Sequence, residues 1–415
     1  MSNGFIHSVR VPRLYKTTAK IVQSVRENGS SLKSLIYEKK HPVKISIDTR
    51  ILINEPRLDP WLARALITEL IWGKGRLQSE SKPVQTVLSY EKQFWELLKN
   101  TDDPSVLKPF KKPRYIRVNT SLLAVDEAIS NFTDQGWSPL PRSSNYSSYL
   151  ETLNNLTQPY FIQDFHIPEV LAFPPDVTFH DNCAYQDGQI ILQDKASCFP
   201  AYFLNPEPGS VVLDMCAAPG MKTSHLAAKI ENKGKIYAVE VDERRFGTLC
   251  EQMKKTNSYS VTVLNKDALT VDAKQCANVE YILVDPSCSG SGMTDRHLTD
   301  LRNEKCPPGR LKSLQSFQAM LLLHALLDFP TVKRVVYSTC SINPEENEEV
   351  IDDVFPKLQN AYKLVPIKRL LKDNWINYSS KNYNCSDKCL YAKTETDLCN
   401  GFFLLNPTKR SNGEK

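Results

Sequence analysis

Residues 211–223 read VVLDMCAAPGMKT, and this stretch decides the fold. Val211 to Met215 is rich in branched apolar residues, which predicts a buried strand. The tight turn that follows contains Ala217, Ala218 and Gly220, small residues that let the backbone approach a ligand closely. A helix comes next. The turn lacks the G-x-G-x-x-G pattern, so a dinucleotide pyrophosphate is not its natural ligand.

Alternating strands and helices continue through the rest of the chain. Further strands are expected at Lys235 to Val239, Val261 to Leu264, Tyr281 to Val284 and Val335 to Tyr337, with a late pair near Lys363 to Pro366 and Gly401 to Leu405. The longest intervening helix is predicted over about 311–328. Such alternation predicts a mostly parallel sheet that is covered on both faces. Ligands of these sheets bind beyond the carboxyl ends of the strands, where the strand order reverses.

The chain before this sheet has a different pattern. The spacing of apolar residues predicts helices in residues 1 to about 103. One is amphipathic, at Thr17 to Glu27, one is opened by Asp59 and Pro60, and one runs from Pro83 to Leu98. A small α+β unit is predicted at about 105–185. Its elements are a strand from Arg114 to Thr120, a helix near Val125 to Gln135, and strands at Glu169 to Phe173 and Gln189 to Leu192.

Acidic side chains end three successive strands of the predicted parallel sheet. An adenosyl ligand with an amino-acid tail fits them: Asp214 can meet the amine, Glu240 both ribose hydroxyls and Asp267 the adenine amino group. Lys222 can meet the carboxylate of the same ligand. Taken singly, each acid has an ordinary alternative, because acids often end strands and cap helices.

Two cysteines occupy turns at the ends of later strands. Residues 285–292 read DPSCSGSG and place Cys288 after the fourth strand, and residues 335–347 read VVYSTCSINPEEN and place Cys340 after the fifth. Asn343 and Glu346 predict a capping box that starts a helix, whose dipole would favour the thiolate of Cys340. An isolated free cysteine is more often a small buried hydrophobe than a nucleophile.

The ordered pieces LDMCAAPGMKT, AVEVD, DPSCSGSG and YSTCSINPEEN resemble the RNA cytosine-5 methyltransferases of the Nol/Nop/Sun family. The resemblance extends upstream through Arg114 to Asn119 and Ile191 to Ser197, and covers roughly residues 110–405. The Pro-Ser-Cys form at 286–288 and the helical N-terminal region are similar to the branch that acts on large-subunit ribosomal RNA.

The resemblance implies a Rossmann-like class I methyltransferase domain of the α/β class, with a seven-stranded, mostly parallel sheet. We therefore predict four segments: a helical, basic N-terminal region (1–103), an α+β unit like an RNA-recognition motif that binds RNA (104–185), an S-adenosylmethionine-dependent methyltransferase domain (186–408) and a disordered tail (409–415).

The resemblance also implies roles for single residues. Cys340 would add to carbon 6 of cytosine, Asp285 would stabilise ring nitrogen 3, and Cys288 would assist release. The cofactor would be S-adenosylmethionine. The residues expected to bind it are Asp214, Cys216, Ala217, Ala218, Pro219, Gly220, Met221, Lys222, Glu240, Asp267 and Asp285. Met221 and Ser287 depart from the commonest family pattern, which has a glycine and a proline at these positions.

Charge and composition favour an RNA partner. The net charge is only +5, but residues 1–44 hold nine basic and two acidic side chains, and a second basic run spans 108–114. Eleven cysteines and no signal peptide indicate free thiols in a reducing compartment, and the basic runs and the family suggest the nucleus and the nucleolus. No apolar run is long enough to span a bilayer. We expect no metal, because Cys385, Cys389 and Cys399 have poor zinc spacing, and we expect a monomer.

Two other classes of function share parts of this pattern. A non-catalytic RNA-binding factor in ribosome assembly could keep the fold, but it would need none of Asp285, Cys288 and Cys340. An adenine-N6 or small-molecule methyltransferase shares the sheet and needs no cysteine pair. Its usual Asp-Pro-Pro-Tyr loop is replaced here by Asp-Pro-Ser-Cys.

Overall fold

The structure is a computed structural model that describes residues 15–16, 19–20, 23, 58–71, 75–77, 79–100, 112–293, 306–358, 361–371, 374–379, 382–386 and 388–410. The helix predicted at 17–27 and the basic stretches 1–44 and 108–114 lie largely outside these residues, as does the end of the predicted tail, 411–415. The chain divides into two compact units. One contains residues 1–109 and 295–304, and the other contains 110–294 and 305–415.

The first unit contains three described helices of appreciable length, α1 (Pro60–Ile71), α2 (Lys82–Ser89) and α3 (Glu91–Asn100). The Asp59 carboxylate accepts a hydrogen bond from the Leu62 backbone and so begins α1 as predicted. The single helix predicted over 83–98 is instead two helices, because the chain turns at Tyr90. The apolar faces of all three pack into one cluster that includes Leu66, Val87 and Phe94.

A five-stranded sheet opens the second unit. Its elements are β1 (Arg114–Val118), α4 (Val125–Asp134), β2 (Ser138–Pro139), α5 (Tyr146–Asn154), β3 (Tyr160–Gln163), β4 (Val170–Phe173), α6 (Cys183–Gln186) and β5 (Ile190–Leu192). The strand order is β2-β3-β4-β1-β5, and β1 pairs antiparallel with both β4 and β5. Strand β5 therefore lies in this sheet although it follows the boundary predicted at 185/186. The boundaries of the four predicted segments stay predictions.

The larger sheet follows the predicted alternation. Its elements are α7 (Lys195–Leu204), β6 (Val211–Asp214), α8 (Met221–Lys229), β7 (Lys235–Val239), α9 (Glu243–Lys255), β8 (Val261–Leu264), β9 (Tyr281–Val284), α10 (Pro308–Leu327), β10 (Arg334–Thr339), α11 (Glu348–Val354), β11 (Tyr362–Leu364), α12 (Ile367–Leu370), β12 (Leu390–Ala392), α13 (Thr394–Asp397), β13 (Phe402–Leu405) and β14 (Pro407–Lys409). Buried apolar side chains cover both faces of this sheet.

Five parallel strands form the centre of the larger sheet, in the order β8-β7-β6-β9-β10. All seven expected strands are present. The described residues add β12 and β14, so the sheet has nine strands rather than seven. Both additions are only three residues long and pair antiparallel with their neighbours, which gives them little sequence signal; β12 pairs with β13 alone, whereas β14 lies between β11 and β10. Strand β14 also orders Pro407–Lys409, the last of which was assigned to the tail.

The strand order reverses between β6 and β9. From β6 the chain builds outward through β7 and β8, then returns to add β9 and β10 on the other side. The carboxyl ends of β6 and β9 therefore border a crevice where an open parallel sheet binds its ligand. The stretch quoted first, 211–223, supplies one wall of it.

The predicted capping box at 343–346 is wrong. Pro344–Glu346 is one turn of 3₁₀ helix, and α11 begins only at Glu348. Asn343 makes no side-chain cap, and the Glu346 carboxylate accepts its hydrogen bonds from Ser289 and Ser341 instead. The buried Glu346 carboxylate accepts hydrogen bonds from two serine hydroxyls and one backbone N–H, and these stabilise it more than a single capping hydrogen bond would. The helix-dipole argument for Cys340 consequently loses its basis.

Candidate active site

The predicted site residues cluster at the carboxyl edge of the larger sheet. Asp214 is the last residue of β6, Glu240 follows β7 and Asp285 follows β9. Cys340 follows β10, and Asp267 lies three residues beyond β8. Because parallel strands end at the same edge, side chains separated by up to 126 positions in the chain converge there.

The turn after β6 is built around a buried acid. Oδ2 of Asp214 accepts a hydrogen bond of 2.8 Å from the Thr223 hydroxyl, while Oδ1 is buried and has no hydrogen-bond partner among the described residues. Burial raises the pKa of Asp214 to about 7. A buried oxygen of this kind needs a donor, because leaving it unpaired costs free energy. A cationic amine would supply that donor and would favour the carboxylate form.

Gly220 allows the turn to lead into helix α8. Its φ of 103° is in the left-handed region, and an added Cβ would lie 2.8 Å from Cε of Met253. The next residue, Met221, has its sulfur 3.9 Å from the side-chain amide of Gln252 on α9. Cys216, Ala217 and Ala218 complete the turn with little exposed surface, and Pro219 is exposed.

Glu240 is held by groups on both sides of it. Oε1 accepts a 2.9 Å hydrogen bond from the Asp242 backbone, and Oε2 pairs with Arg245 at 3.3 Å. The same guanidinium donates to the Ala218 carbonyl at 2.8 Å. Arg245 thus joins the turn after β6 to the acid after β7.

Asp267 is exposed beside these groups. Its Oδ1 accepts a hydrogen bond from the Leu269 backbone at 3.0 Å and so caps the 3₁₀ turn Ala268–Thr270. Oδ1 of Asp267 therefore has the capping role that is common for acids at strand ends. Oδ2 remains accessible to a ligand.

The two cysteine sulfurs are in contact beyond the carboxyl ends of β9 and β10. Sγ of Cys288 lies 3.1 Å from Sγ of Cys340, and both residues are half-buried. The hydrogen bond between the sulfurs raises the pKa of Cys288 well above its ordinary value, and burial adds to this. The raised pKa favours the protonated form of Cys288, and either sulfur can be the donor in the hydrogen bond between them.

Asp285 is oriented by two side chains. Oδ2 pairs with Nζ of Lys222 at 2.8 Å, and Oδ1 accepts a 2.6 Å hydrogen bond from the Ser338 hydroxyl. Burial alone would lower the pKa of Lys222, but Asp285 first, then Cys340 and Asp214, raise it above its ordinary value. Lys222 is thus a cation at the reacting end. Its predicted contact with a cofactor carboxylate stays a prediction.

Three further residues build this site, and the local sequence signals for them are weak. The local pattern around Glu346 predicts a helix cap, and nothing local marks Arg245 as a partner of the turn after β6. Ser338 is a polar residue that directly follows the apolar run Val335 to Tyr337 of β10, which could indicate a role at the strand end. Each acts through contacts with residues that are distant in sequence.

Within the described part of the chain, no group of three or more His, Cys, Asp or Glu side chains is placed to hold a metal ion. Cys385, Cys389 and Cys399 are buried, and none of the three is in a disulfide. None of the described helices combines the length and the hydropathy that a bilayer crossing requires.

Two family models match successive parts of the chain. The 16S rRNA methyltransferase RsmB/F model matches residues 201–404, which hold every predicted site residue. The model for the ferredoxin-like domain of NOL1/NOP2/Sun domain family member 5 matches residues 112–193, the smaller sheet. The 28S rRNA (cytosine-C(5))-methyltransferase of Drosophila melanogaster is 39% identical, with 99% of each chain covered. The chain belongs to the NOL1/NOP2/Sun family.

A second relative supports this assignment, and a solved structure shares the fold. The mouse (Mus musculus) 28S rRNA (cytosine-C(5))-methyltransferase is 34% identical over 94% of this chain and 90% of its own. The crystal structure of PH0851 has the same fold, with a TM-score of 0.66 at 24% identity, covering 96% of this chain and 99% of that one. The NOL1/NOP2/Sun family is S-adenosylmethionine-dependent, and the buried, unpaired oxygen of Asp214 fits a cofactor amine. The family resemblance and the cofactor predicted from the sequence are confirmed.

Proposed function

We propose that this chain methylates carbon 5 of a cytosine in large-subunit ribosomal RNA. The observation that carries the proposal is the 3.1 Å approach of two thiols, Cys288 and Cys340, beside the carboxylate of Asp285. A fold that only binds RNA has no need for such a pair. Curated relatives over nearly the whole chain are named as 28S rRNA cytosine-C5 methyltransferases, which supports the same choice of substrate.

The cofactor would lie along the ends of β6, β7 and β8. Asp214 would bind the amine, Glu240 the ribose hydroxyls and Asp267 the adenine amino group. The turn would enclose the remainder through Cys216, Ala217, Ala218, Pro219, Gly220, Met221 and Lys222, with Asp285 at its edge. When bound, S-adenosylmethionine supplies a methyl group on a positively charged sulfonium.

Cys340 would be the nucleophile. Carbon 5 of cytosine is a poor nucleophile, and addition of the Cys340 thiolate to carbon 6 makes it enamine-like. The hydrogen bond from the protonated Cys288 stabilises negative charge on the attacking sulfur, and the nearby cation of Lys222 acts in the same direction.

Asp285 would stabilise the ring as the thiolate adds. As the thiolate adds, ring nitrogen 3 would take up a proton from solvent, and the Asp285 carboxylate would accept a hydrogen bond from that proton, which offsets the negative charge that develops on the ring. Lys222 and Ser338 fix the orientation of this carboxylate through one oxygen each. A preoriented acceptor loses less free energy to reorganisation during the reaction.

Release requires two bonds to break. After methylation, the proton on carbon 5 leaves to a base, the bond from Cys340 to carbon 6 breaks, and the sulfur departs as a thiolate. Cys288 is placed to donate a hydrogen bond to that departing sulfur. Its raised pKa keeps the proton available for this role.

An RNA substrate determines how the target base must reach the site and where the protein acts. A target cytosine must leave its base stack to reach Cys340, and we propose that residues 1–185 hold the surrounding RNA. Because the relatives are named for ribosomal RNA, we propose that the protein acts in the nucleus, at the nucleolus. A monomeric state and independence from metal stay predictions.

Covalent trapping tests the proposal. The protein should form an adduct, stable to denaturation, with RNA that contains 5-azacytidine, and Cys340→Ala should form none. With ordinary RNA, Cys288→Ala should accumulate adduct. An adduct that persists in Cys340→Ala would reject the assignment. Binding of S-adenosylmethionine without tritium transfer to RNA would instead favour the non-catalytic assembly factor.

Bisulfite sequencing then identifies the substrate. Large-subunit ribosomal RNA from cells with and without the gene should differ at one cytosine or a few. Restoration of the gene should restore the signal, and a gene encoding Cys340→Ala should not. An unchanged pattern would remove ribosomal RNA as the substrate and leave the chemistry open to other RNAs.

A further inference from the structure

Glu346 lies between the two loops that carry the cysteines. Its buried carboxylate accepts hydrogen bonds from the Ser289 backbone at 2.7 Å and the Ser289 hydroxyl at 2.5 Å. The Ser341 hydroxyl donates to the same carboxylate at 2.6 Å. Ser289 directly follows Cys288, and Ser341 directly follows Cys340. One carboxylate therefore accepts hydrogen bonds from the residue that follows each reacting cysteine.

Among the residues that the structure describes, this carboxylate has no cationic partner. Asn343 and Gln318 add longer hydrogen bonds of 3.2 Å, and no Lys or Arg in the described part of the chain is within ion-pair distance. Burial alone would raise the pKa of Glu346, but the hydrogen bonds from Ser289 and Ser341 lower it below its ordinary value. A buried charge is costly to desolvate, so its free energy rests on the donors that the two loops provide.

The two loops depend on these contacts unequally. Cys340 comes directly after strand β10, whose last residues pair with β13, so the sheet itself fixes its backbone. Cys288 comes four residues after the end of β9, in a loop. Glu346 connects that loop to the Cys340 loop. Hydrogen bonds of the Gly292 backbone and the Ser291 hydroxyl add to this connection. Loss of the Glu346 charge should therefore displace Cys288 more than Cys340.

We propose that Glu346 is a positioning residue for release: it holds the Cys288 loop against the Cys340 loop so that the Cys288 thiol reaches the departing sulfur. The inference rests on the proposed function and extends it to a residue that touches neither cofactor nor cytosine. Its consequence is specific. Neutralising Glu346 should slow breakdown of the adduct more than its formation.

The test compares Glu346→Gln with the adjacent control Glu345→Gln, which removes the same charge from a side chain that is only half-buried. With ordinary cytosine RNA, Glu346→Gln should hold about 10–100-fold more covalent adduct at steady state than wild type, because a misplaced group costs a factor of this order. Trapping of 5-azacytidine RNA and the affinity for S-adenosylmethionine should remain near wild type. Glu345→Gln should match wild type in all three measurements.

A double variant separates positioning from a general loss of structure. If Glu346 acts through Cys288, then Glu346→Gln with Cys288→Ala should accumulate no more adduct than Cys288→Ala alone. Additive effects would overturn the inference, and so would turnover by Glu346→Gln at the wild-type rate.

A milder variant covers the case in which Glu346→Gln does not fold. Ser289→Ala removes one hydroxyl donor and keeps the backbone bond, so it should accumulate adduct to a smaller extent. Wild-type turnover by Ser289→Ala would then count against the inference. The proposed function fails separately, when Cys340→Ala still forms adduct or the wild type forms none.

Discussion

The sulfur atoms of Cys288 and Cys340 lie 3.1 Å apart, although 52 positions separate the residues in the chain. Neither is in a disulfide. The parallel neighbours β9 and β10 bring them together, because each cysteine lies in the turn that follows one of these strands. The pair serves the proposed chemistry only while both thiols are reduced.

Diamide should therefore inactivate the enzyme reversibly. Each thiol would lose a hydrogen to diamide, which becomes the hydrazine, and the sulfurs would join after moving together by about 1 Å. We expect loss of methyl transfer, recovery with dithiothreitol, and a peptide containing both cysteines in a non-reducing digest. S-adenosylmethionine binding should persist.

The control for oxidation is Cys183→Ser, which removes an exposed cysteine outside the site. This variant should remain as sensitive to diamide as wild type. Protection in Cys183→Ser, or inactivation without a peptide that joins Cys288 to Cys340, would contradict the expectation.

Replacement of Lys222 by Met should damage chemistry more than cofactor binding. The ammonium pairs with Asp285 at 2.8 Å, so its loss leaves that carboxylate without its cation and removes positive charge near Cys340. We expect turnover to fall about 100-fold, as for loss of other preorganised electrostatic groups. Calorimetric affinity for S-adenosylmethionine should change little.

Lys254→Met is the matched control, since Lys254 is an exposed lysine on α9 outside the site. It should retain turnover and cofactor affinity. If Lys222→Met instead weakened cofactor binding strongly and left adduct formation intact, the contact with the cofactor carboxylate predicted from the sequence would be favoured over the pairing with Asp285.

Cofactor affinity should rise between pH 6 and pH 8. The folded pKa of Asp214 is raised to about 7, so the side chain is largely protonated at pH 6 and largely ionised at pH 8. Only the carboxylate form attracts the cofactor amine, so binding should be about tenfold weaker at pH 6. Titration calorimetry in buffers of different ionisation enthalpy should also detect proton release on binding below pH 7.

The same shift affects stability with the opposite sign. A carboxyl whose folded pKa exceeds its unfolded value of 3.8 favours folding at low pH, and that contribution is lost as pH rises through about 7. Asp214→Asn should flatten the pH dependence of cofactor affinity and of the melting temperature of the free protein. An unchanged pH profile in Asp214→Asn would assign the titration to another group.

The sequence predicted the parts of this molecule that local patterns encode. Apolar strands ending in Asp214, Asp285 and Cys340 were recognisable because each strand carries its own signal, and the geometry of a parallel sheet does the rest. The position of Glu346 was not predictable in this way. A Glu three residues after an Asn has the same local appearance whether it caps a helix or crosses to a loop 57 positions away.

Tertiary pairing explains the other differences. Strand β5 pairs with β1 at separations of 72 to 76 positions, which no short window of sequence contains. Arg245 reaches Ala218 across 27 positions. These contacts depend on which surfaces the completed sheet brings together, and the order of the strands in the sheet cannot be predicted from local patterns in one sequence.

Burial also gives the ion pair between Lys195 and Asp164 a large effect on stability. Both side chains are fully buried at an N–O distance of 2.7 Å, and the ammonium lies over the rings of Tyr146 and Tyr149. Removing one partner of such a pair costs about 3–5 kcal/mol, because the other charge stays buried. Lys195→Met should therefore lower the melting temperature by about 10 °C.

The exposed pair Lys357 and Asp353 provides the control, with both side chains about half accessible. Lys357→Met should change the melting temperature by no more than about 2 °C, because exposed pairs contribute little. Adding Asp164→Asn to Lys195→Met should recover part of the lost stability by removing the stranded charge. Equal effects at the two pairs would mean that solvent reaches Asp164 and that burial does not set the strength of this interaction.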